Sequence, residues 1–205
     1  MIRKFDKILN IISNMGMRYV SYRFFYIIKT KLGWTKKVFP INPKFNIFYT
    51  LKDWKEDLPP FFFYGKNIRG LEKKRDELLK SNFDDIKKGV YAFFNKSKIN
   101  LGNDYDWITN PLTGHKYDIN KHWSEIQDFS IKSGDIKYVW EKARFSFLYD
   151  IIRYDYHFVD DQSEFVFNQI EDFINKNPIN QGPNYKCSQE ISLRVLNWTF
   201  ALYYY

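Results

Sequence analysis

Cysteine is almost absent from this chain. Cys187 stands alone, so no intrachain disulfide forms and the redox compartment stays open. No apolar run approaches the roughly 18 residues that a bilayer-crossing helix needs. The basic N-terminus is not followed by an uninterrupted apolar stretch with a small-residue cleavage site, so no cleavable signal peptide is visible. There is no Gly-rich phosphate loop, no G-x-S-x-G elbow, no C-x-x-C and no H-x-x-x-H. His115, His122 and His157 lack ligand-like spacing, so neither a metal nor a cofactor is expected. Helix-stop residues are also missing after the last apolar run, which ends Tyr203-Tyr204-Tyr205. On that ground the chain is expected to be the front part of a longer protein.

What is present argues for a packed core. The chain is 44% hydrophobic and 20% aromatic, a composition that excludes disorder. The net charge of +8 invites a nucleic-acid reading, but its location speaks against one. Residues 1–40 carry nine basic side chains against Asp6 alone, which accounts for the whole excess. The remaining residues balance, and a body without net charge is a poor polyanion clamp.

Two regions follow. In residues 1–40, "IRKFDKILNIISNM" and, after Gly16, "RYVSYRFFYIIKTKLGW" repeat apolar residues at helical spacing. Two readings of this basic arm stand: peripheral contact of residues 1–37 with an anionic membrane, or an N-terminal arm packed on the body with its charges solvated. The second kind of helix is the commoner. Residues 41–205 form the second region. Pro40, Pro43, Pro59 and Pro60 mark residues 39–65 as a linker or wrapping segment. "GLEKKRDELLKSNFDDIKKG" predicts one or two short helices, and "VYAFFNKSKINLG" a small strand pair. "NDYDWITNPLTGHKYDINKHW" has no period and predicts a long ordered loop.

Three helices are then expected. "GDIKYVWEKARFSFLYDIIRYDYHF" reads as one, with Ile136 to Ile152 along one face. "DQSEFVFNQIEDFINKNP" turns Phe165, Ile170, Phe173 and Ile174 inward. "SQEISLRVLNWTFALYYY" has a cap at Ser188. The rhythm is that of an all-α array with no fixed repeat.

The segment "GDIKYVWEKARFSFLYDIIRYDYHF", followed by "NPINQGPNYKCSQEISLRVLNWTFAL", resembles the N-terminal toroid domain of the heparinase II/III-like polysaccharide lyases. The resemblance rests on a W-E-x-x-R element (Trp140, Glu141, Arg144) and an N-x-x-x-x-x-E-x-x-x-R element (Asn184, Glu190, Arg194). It extends upstream to the tryptophan-containing loop and to "MGMRYVSYRFFYIIKTKLGW". It implies a mainly α fold, an incomplete (α/α) toroid of helical hairpins with a small β-hairpin behind the basic arm. It also implies that the rest of the toroid and a β-sandwich lie beyond Tyr205. The implied activity is β-elimination on a uronate-containing polysaccharide, sulfated or not, such as heparan sulfate. The implied compartment is the periplasm or cell envelope, with the cytoplasm as the alternative for want of a visible export signal.

In this chemistry the weakly acidic C5 proton leaves more readily once the neighbouring carboxylate is neutralised. By resemblance Asn184 is the catalytic carboxylate neutraliser, exposed at a helix N-terminus, while a Tyr and a His that transfer protons are expected downstream. This chain alone is then expected to be inactive. Trp140, Arg144, Tyr185, Glu190 and Arg194 are the expected substrate contacts, and an acidic polysaccharide is the partner. From the residues alone, Glu190–Arg194 and Glu141–Arg144 read equally as helix-stabilising ion pairs. Trp140 and Trp123 read as core or as sugar-stacking residues. A non-catalytic polysaccharide-binding or surface-polysaccharide assembly protein is the alternative function.

Overall fold

A computed structural model of the chain describes residues 2–41, 43–44, 50–57, 61 and 70–205. The chain divides into two compact units, residues 1–43 and 44–205.

The first unit is helical. Helix α1 (Ile2–Lys31) is broken at Gly16, whose φ of 78° and ψ of 157° no helix accommodates. Gly supplies that conformation without a Cβ clash. Helix α2 (Trp34–Val38) follows a left-handed Gly33 and packs back on α1, with Thr35 buried and its Oγ1 3.2 Å from that of Thr30.

In the second unit, α3 (Leu51–Glu56) begins with a capping box. The Thr50 hydroxyl accepts from the Asp53 N–H, and the Asp53 carboxylate accepts from the Thr50 N–H. A helix therefore stands where a linker was expected. Residues 42, 45–49, 58–60 and 62–65 of that linker lie outside the described residues. Helix α4 (Glu77–Lys87) is one element, capped by the Asp76 carboxylate, and turns Leu79, Phe83 and Ile86 inward. Strands β1 (Val90–Phe93) and β2 (Ser97–Asn100) form the expected hairpin, antiparallel with Val90 opposite Asn100. Residues 101–128 are an ordered loop with one 3-10 turn (Trp123–Glu125). Side chains replace a ladder there: Asp106 accepts from the N–H groups of Ile108 and Thr109, and Asn110 donates to the carbonyls of Ser133 and Asp135. A second two-stranded ribbon, β3 (Phe129–Ser130) with β4 (Gly134–Asp135), leads into the last helices.

The expected single helix over residues 135–158 is two. Helix α5 (Lys137–Ala143) stops, and α6 (Leu148–Phe158) starts after a left-handed Phe145 (φ 62°). The reason is tertiary. Phe145 is fully buried, its ring stacked 5.1 Å from Trp107 and edge-on to Phe173 and Trp198. Burying an aromatic side chain of this size stabilises by about 2–3 kcal/mol, enough to offset one residue in a left-handed conformation.

Helix α7 (Ser163–Lys176) follows a left-handed Val159, which closes α6. Its buried residues are Val166 and Phe173, with Phe165 and Ile170 half-buried against them. Ile174 is exposed instead of inward, standing about 100° round the helix from the buried Phe173. A second 3-10 turn (Pro183–Tyr185) precedes α8 (Ser188–Tyr204). The N-cap of α8 is Cys187 rather than Ser188, and it makes no side-chain cap.

Helices α4, α6 and α8 pack in sequence on a core rich in rings, with Phe83 stacked on Tyr154 at 3.7 Å. The end of α8 belongs to that core, since the Tyr204 hydroxyl donates to the buried Asp155 at 3.1 Å. The described chain is thus mainly helical with small antiparallel ribbons.

Candidate functional site

The residues that carried the resemblance come from α5, the Pro183–Tyr185 turn and α8, and the fold brings all of them together. Gly182 opens the turn at φ 67° and ψ −168°, a backbone conformation that favours glycine, and a Cβ there would also press on Ile119 Cδ1 at 2.7 Å. Trp140, on the core face of α5, donates its indole N–H to the Pro183 carbonyl at 2.9 Å. Trp140 is buried, so its ring serves packing rather than an open stacking surface.

Asn184 lies at the centre of this arrangement. Its Nδ2 donates to the Trp107 carbonyl at 2.9 Å and to Asn177 Oδ1 at 2.8 Å. Asn177 in turn donates to the Phe173 carbonyl, at the end of α7. The expectation of an exposed amide is corrected here: Asn184 is 0% exposed and both of its donors are committed. Its Oδ1 has no hydrogen-bond partner among the described residues. Tyr185 donates its hydroxyl to the Asn177 carbonyl at 3.2 Å, and burial raises its pKa above the ordinary phenol value.

Arg194 does not pair with Glu190 along α8. It crosses to α5, donating Nε to the Ala143 carbonyl at 2.7 Å and an Nη to the Asn184 carbonyl at 3.0 Å. Its guanidinium lies 4.2 Å above the Phe173 ring. Burial pushes the Arg194 pKa down to about 10, still charged at neutral pH. Glu190 instead takes Arg144 of the α5 end in a two-pronged contact, 2.5 Å to Nε and 2.8 Å to Nη2. Glu141 closes on the other side of the same guanidinium. The hydrogen bond that Arg144 donates to Glu190, opposed by burial, holds the Arg144 pKa above its usual value. Asn197 completes the junction by donating to the Arg144 carbonyl at 2.7 Å.

Arg144 and Glu141 also face a cavity of about 490 Å³ between α4, the β1–β2 hairpin, α5 and α6. Its wall includes Tyr91, Phe94, Lys98, Lys142 and Asp150. Lys98 is bridged to Asp85 at 2.6 Å. Lys142 differs: no carboxylate lies within ion-pair reach of it among the described residues. Its ammonium sits among ring faces, 4.0 Å from Trp107, 4.9 Å from Tyr91 and 5.3 Å from Tyr105. Burial lowers its pKa to about 8.

Sequence reasoning missed Lys142. The available signal was its position three residues after Val139 and one before Ala143, a lysine on the apolar stripe of α5. Trp123 is half-buried beside the His122 ring and does not line the cavity. Among the described residues, no group of three His, Cys, Asp or Glu side chains is placed to hold a metal ion.

The cavity wall combines rings with three cations, Lys98, Lys142 and Arg144, and three carboxylates, Asp85, Glu141 and Asp150. It contains no nucleophile–base pair. Comparisons with family models, with curated proteins and with solved structures find no match for this chain.

Proposed function

We propose that this chain is the N-terminal portion of a polysaccharide lyase that cleaves uronate-containing polysaccharide by β-elimination. Helices α5 to α8 would be the first hairpins of an (α/α) toroid. One observation carries the reading. The two sequence elements of the resemblance, 40 residues apart at Trp140–Arg144 and Asn184–Arg194, join through reciprocal contacts: Trp140 to Pro183, Glu190 to Arg144, and Arg194 to Ala143 and Asn184. Elements that make one junction are the kind a fold keeps together.

In this reading Arg144 and Lys142 meet the acidic sugar, and the rings of Tyr91 and Phe94 support its apolar faces. Asn184 enters as carboxylate neutraliser by way of a rearrangement that frees its Nδ2 from Trp107 and Asn177. No residue of this chain is assigned the proton transfers, so the chain alone binds without turnover.

The buried, committed amide of Asn184 favours a second reading, a polysaccharide-binding or surface-polysaccharide assembly protein without catalysis. One experiment tests both. Uronate oligosaccharides, sulfated and unsulfated, are titrated calorimetrically into the chain, and formation of unsaturated uronate is followed by ultraviolet absorbance. The same absorbance is followed in any longer natural form of the protein. Binding that weakens at least tenfold in Arg144→Ala supports the cavity. Unsaturated product from the longer form selects the lyase, and binding without product there selects the second reading. No binding of any uronate oligosaccharide overturns both.

A further inference from the structure

The arm of residues 17–38 takes no part in the site above, yet its surface is organised. From Met17 the chain is regular helix, so side chains advance by about 100° per residue. On that progression Met17, Val20, Phe24, Phe25, Ile27 and Ile28 fall in one arc covering roughly half the circumference. Arg18, Tyr19, Tyr22, Arg23, Tyr26 and Lys29 fall in the other. The apolar arc is not covered: Met17 is 62%, Phe24 61% and Phe25 60% exposed. Leu32 at 78% and Trp34 at 58% continue exposed apolar surface past the helix end. Lys31 falls inside the apolar arc at the last turn, where its stem permits the ammonium to reach the polar level.

Charge names the occupant. Between Asp6 and Asp53 the sequence has no acidic residue, while residues 18–44 hold Arg18, Arg23, Lys29, Lys31, Lys36, Lys37 and Lys44. A second protein would need a partner face both apolar and strongly acidic. A bilayer surface with anionic headgroups offers acyl chains and negative charge together. Trp34, just past the helix end, is an amphipathic residue suited to the headgroup level. No helix among the described residues is long and apolar enough to cross a membrane, so the geometry is that of a helix lying in the interface.

We propose that the arm docks the protein on an anionic lipid surface, with Met17, Phe24, Phe25 and Leu32 inserted and the arginines and lysines against the headgroups. The test is flotation of the full chain with vesicles of phosphatidylcholine, pure or carrying about a third phosphatidylglycerol. The expected result is binding to the mixed vesicles only, weakened at least tenfold by raised salt, since surface attraction is screened. Phe24→Glu with Phe25→Glu is expected to abolish it. Arg18→Glu with Arg23→Glu is expected to weaken it more than tenfold, each lost basic charge counting for about fivefold. Equal binding to pure phosphatidylcholine overturns the proposal, as does insensitivity to salt; both are read on the unaltered chain. Self-association of the unaltered chain that the Phe24/Phe25 variant loses would assign the face to a second copy instead.

Discussion

Lys142→Met is the perturbation whose outcome the structure specifies most fully. Methionine keeps the unbranched stem and removes the charge. Lys142 is buried, and burial brings its pKa down from 10.5 to about 8. A lysine with a depressed folded-state pKa binds fewer protons folded than unfolded. Stability therefore rises with pH between about 8 and 10.5, and the cost of the buried charge is fully present below that window. At 1.36 kcal/mol per unit the whole cost is about 3 kcal/mol, of which about 2 is relieved by pH 9.5.

Three ring faces hold the ammonium and oppose this by up to about 2 kcal/mol for a desolvated cation–π contact. Asp172 and Lys176, both on α7, act on the charge in opposite directions. Desolvation is the larger effect, so the stability advantage of Lys142→Met over the parent is expected to shrink by about 1–2 kcal/mol from pH 7 to pH 9.5. Above pH 10 the buried phenols of Tyr91 and Tyr105, whose pKa values burial raises, reverse the trend in both proteins. Their contribution cancels in the difference. Urea unfolding followed by tryptophan fluorescence at several pH values measures it. An advantage constant across that range would mean that the aromatic box, not desolvation, sets the protonation of Lys142.

Arg194→Met should cost about 2–6 kcal/mol in the same assay, because the Ala143 and Asn184 carbonyls each lose their donor; Arg194→Lys should cost less, and a loss below about 0.5 kcal/mol would remove Arg194 from the junction. Asn184→Ala leaves the Trp107 carbonyl and Asn177 Oδ1 without that donor and should destabilise by about 1–3 kcal/mol, checked by urea midpoint. Gly89→Ala should prevent the β1–β2 hairpin from closing, since a Cβ would stand 2.3 Å from the Gly102 carbonyl oxygen at a φ of 79°; loss of cooperative unfolding is the readout.

Much of this fold was legible because its cause is local. The hairpin at Val90–Asn100, the kink at Gly16 and helices α7 and α8 follow from turn residues and apolar period. The break between α5 and α6 was not, since the apolar period runs straight across Phe145. Its left-handed backbone answers to Trp107 and Phe173, residues 38 and 28 positions away. Of the two expected helix ion pairs, Glu141–Arg144 forms, and the other is overridden by tertiary contacts for the same reason. Glu190 and Arg194 are four apart on one helix, but Arg194 is drawn to carbonyls on α5 and Glu190 to Arg144, 46 residues back. Lys142 was hidden because a lysine on an apolar stripe ordinarily extends its stem to water.

The same contacts bear on what a shared motif can mean. Of the six residues singled out from sequence, Trp140, Asn184, Glu190 and Arg194 are buried, and each is bonded across the α5–turn–α8 junction. A substitution at any of them would be felt first as a loss of that junction. These four residues therefore constrain the fold more tightly than the chemistry. Chemistry toward an acidic ligand falls to residues the junction holds at a cavity wall. Arg144 is fixed there by Glu141 and Glu190, which leave it partly neutralised. Lys142 has no carboxylate within ion-pair reach, only the more distant Asp172, so of Arg144 and Lys142 it is the one whose field an incoming carboxylate would meet less diminished. Loss of uronate affinity in Lys142→Met, with stability kept or raised, would separate recognition from scaffolding at this site. Unchanged affinity would return the task to Arg144.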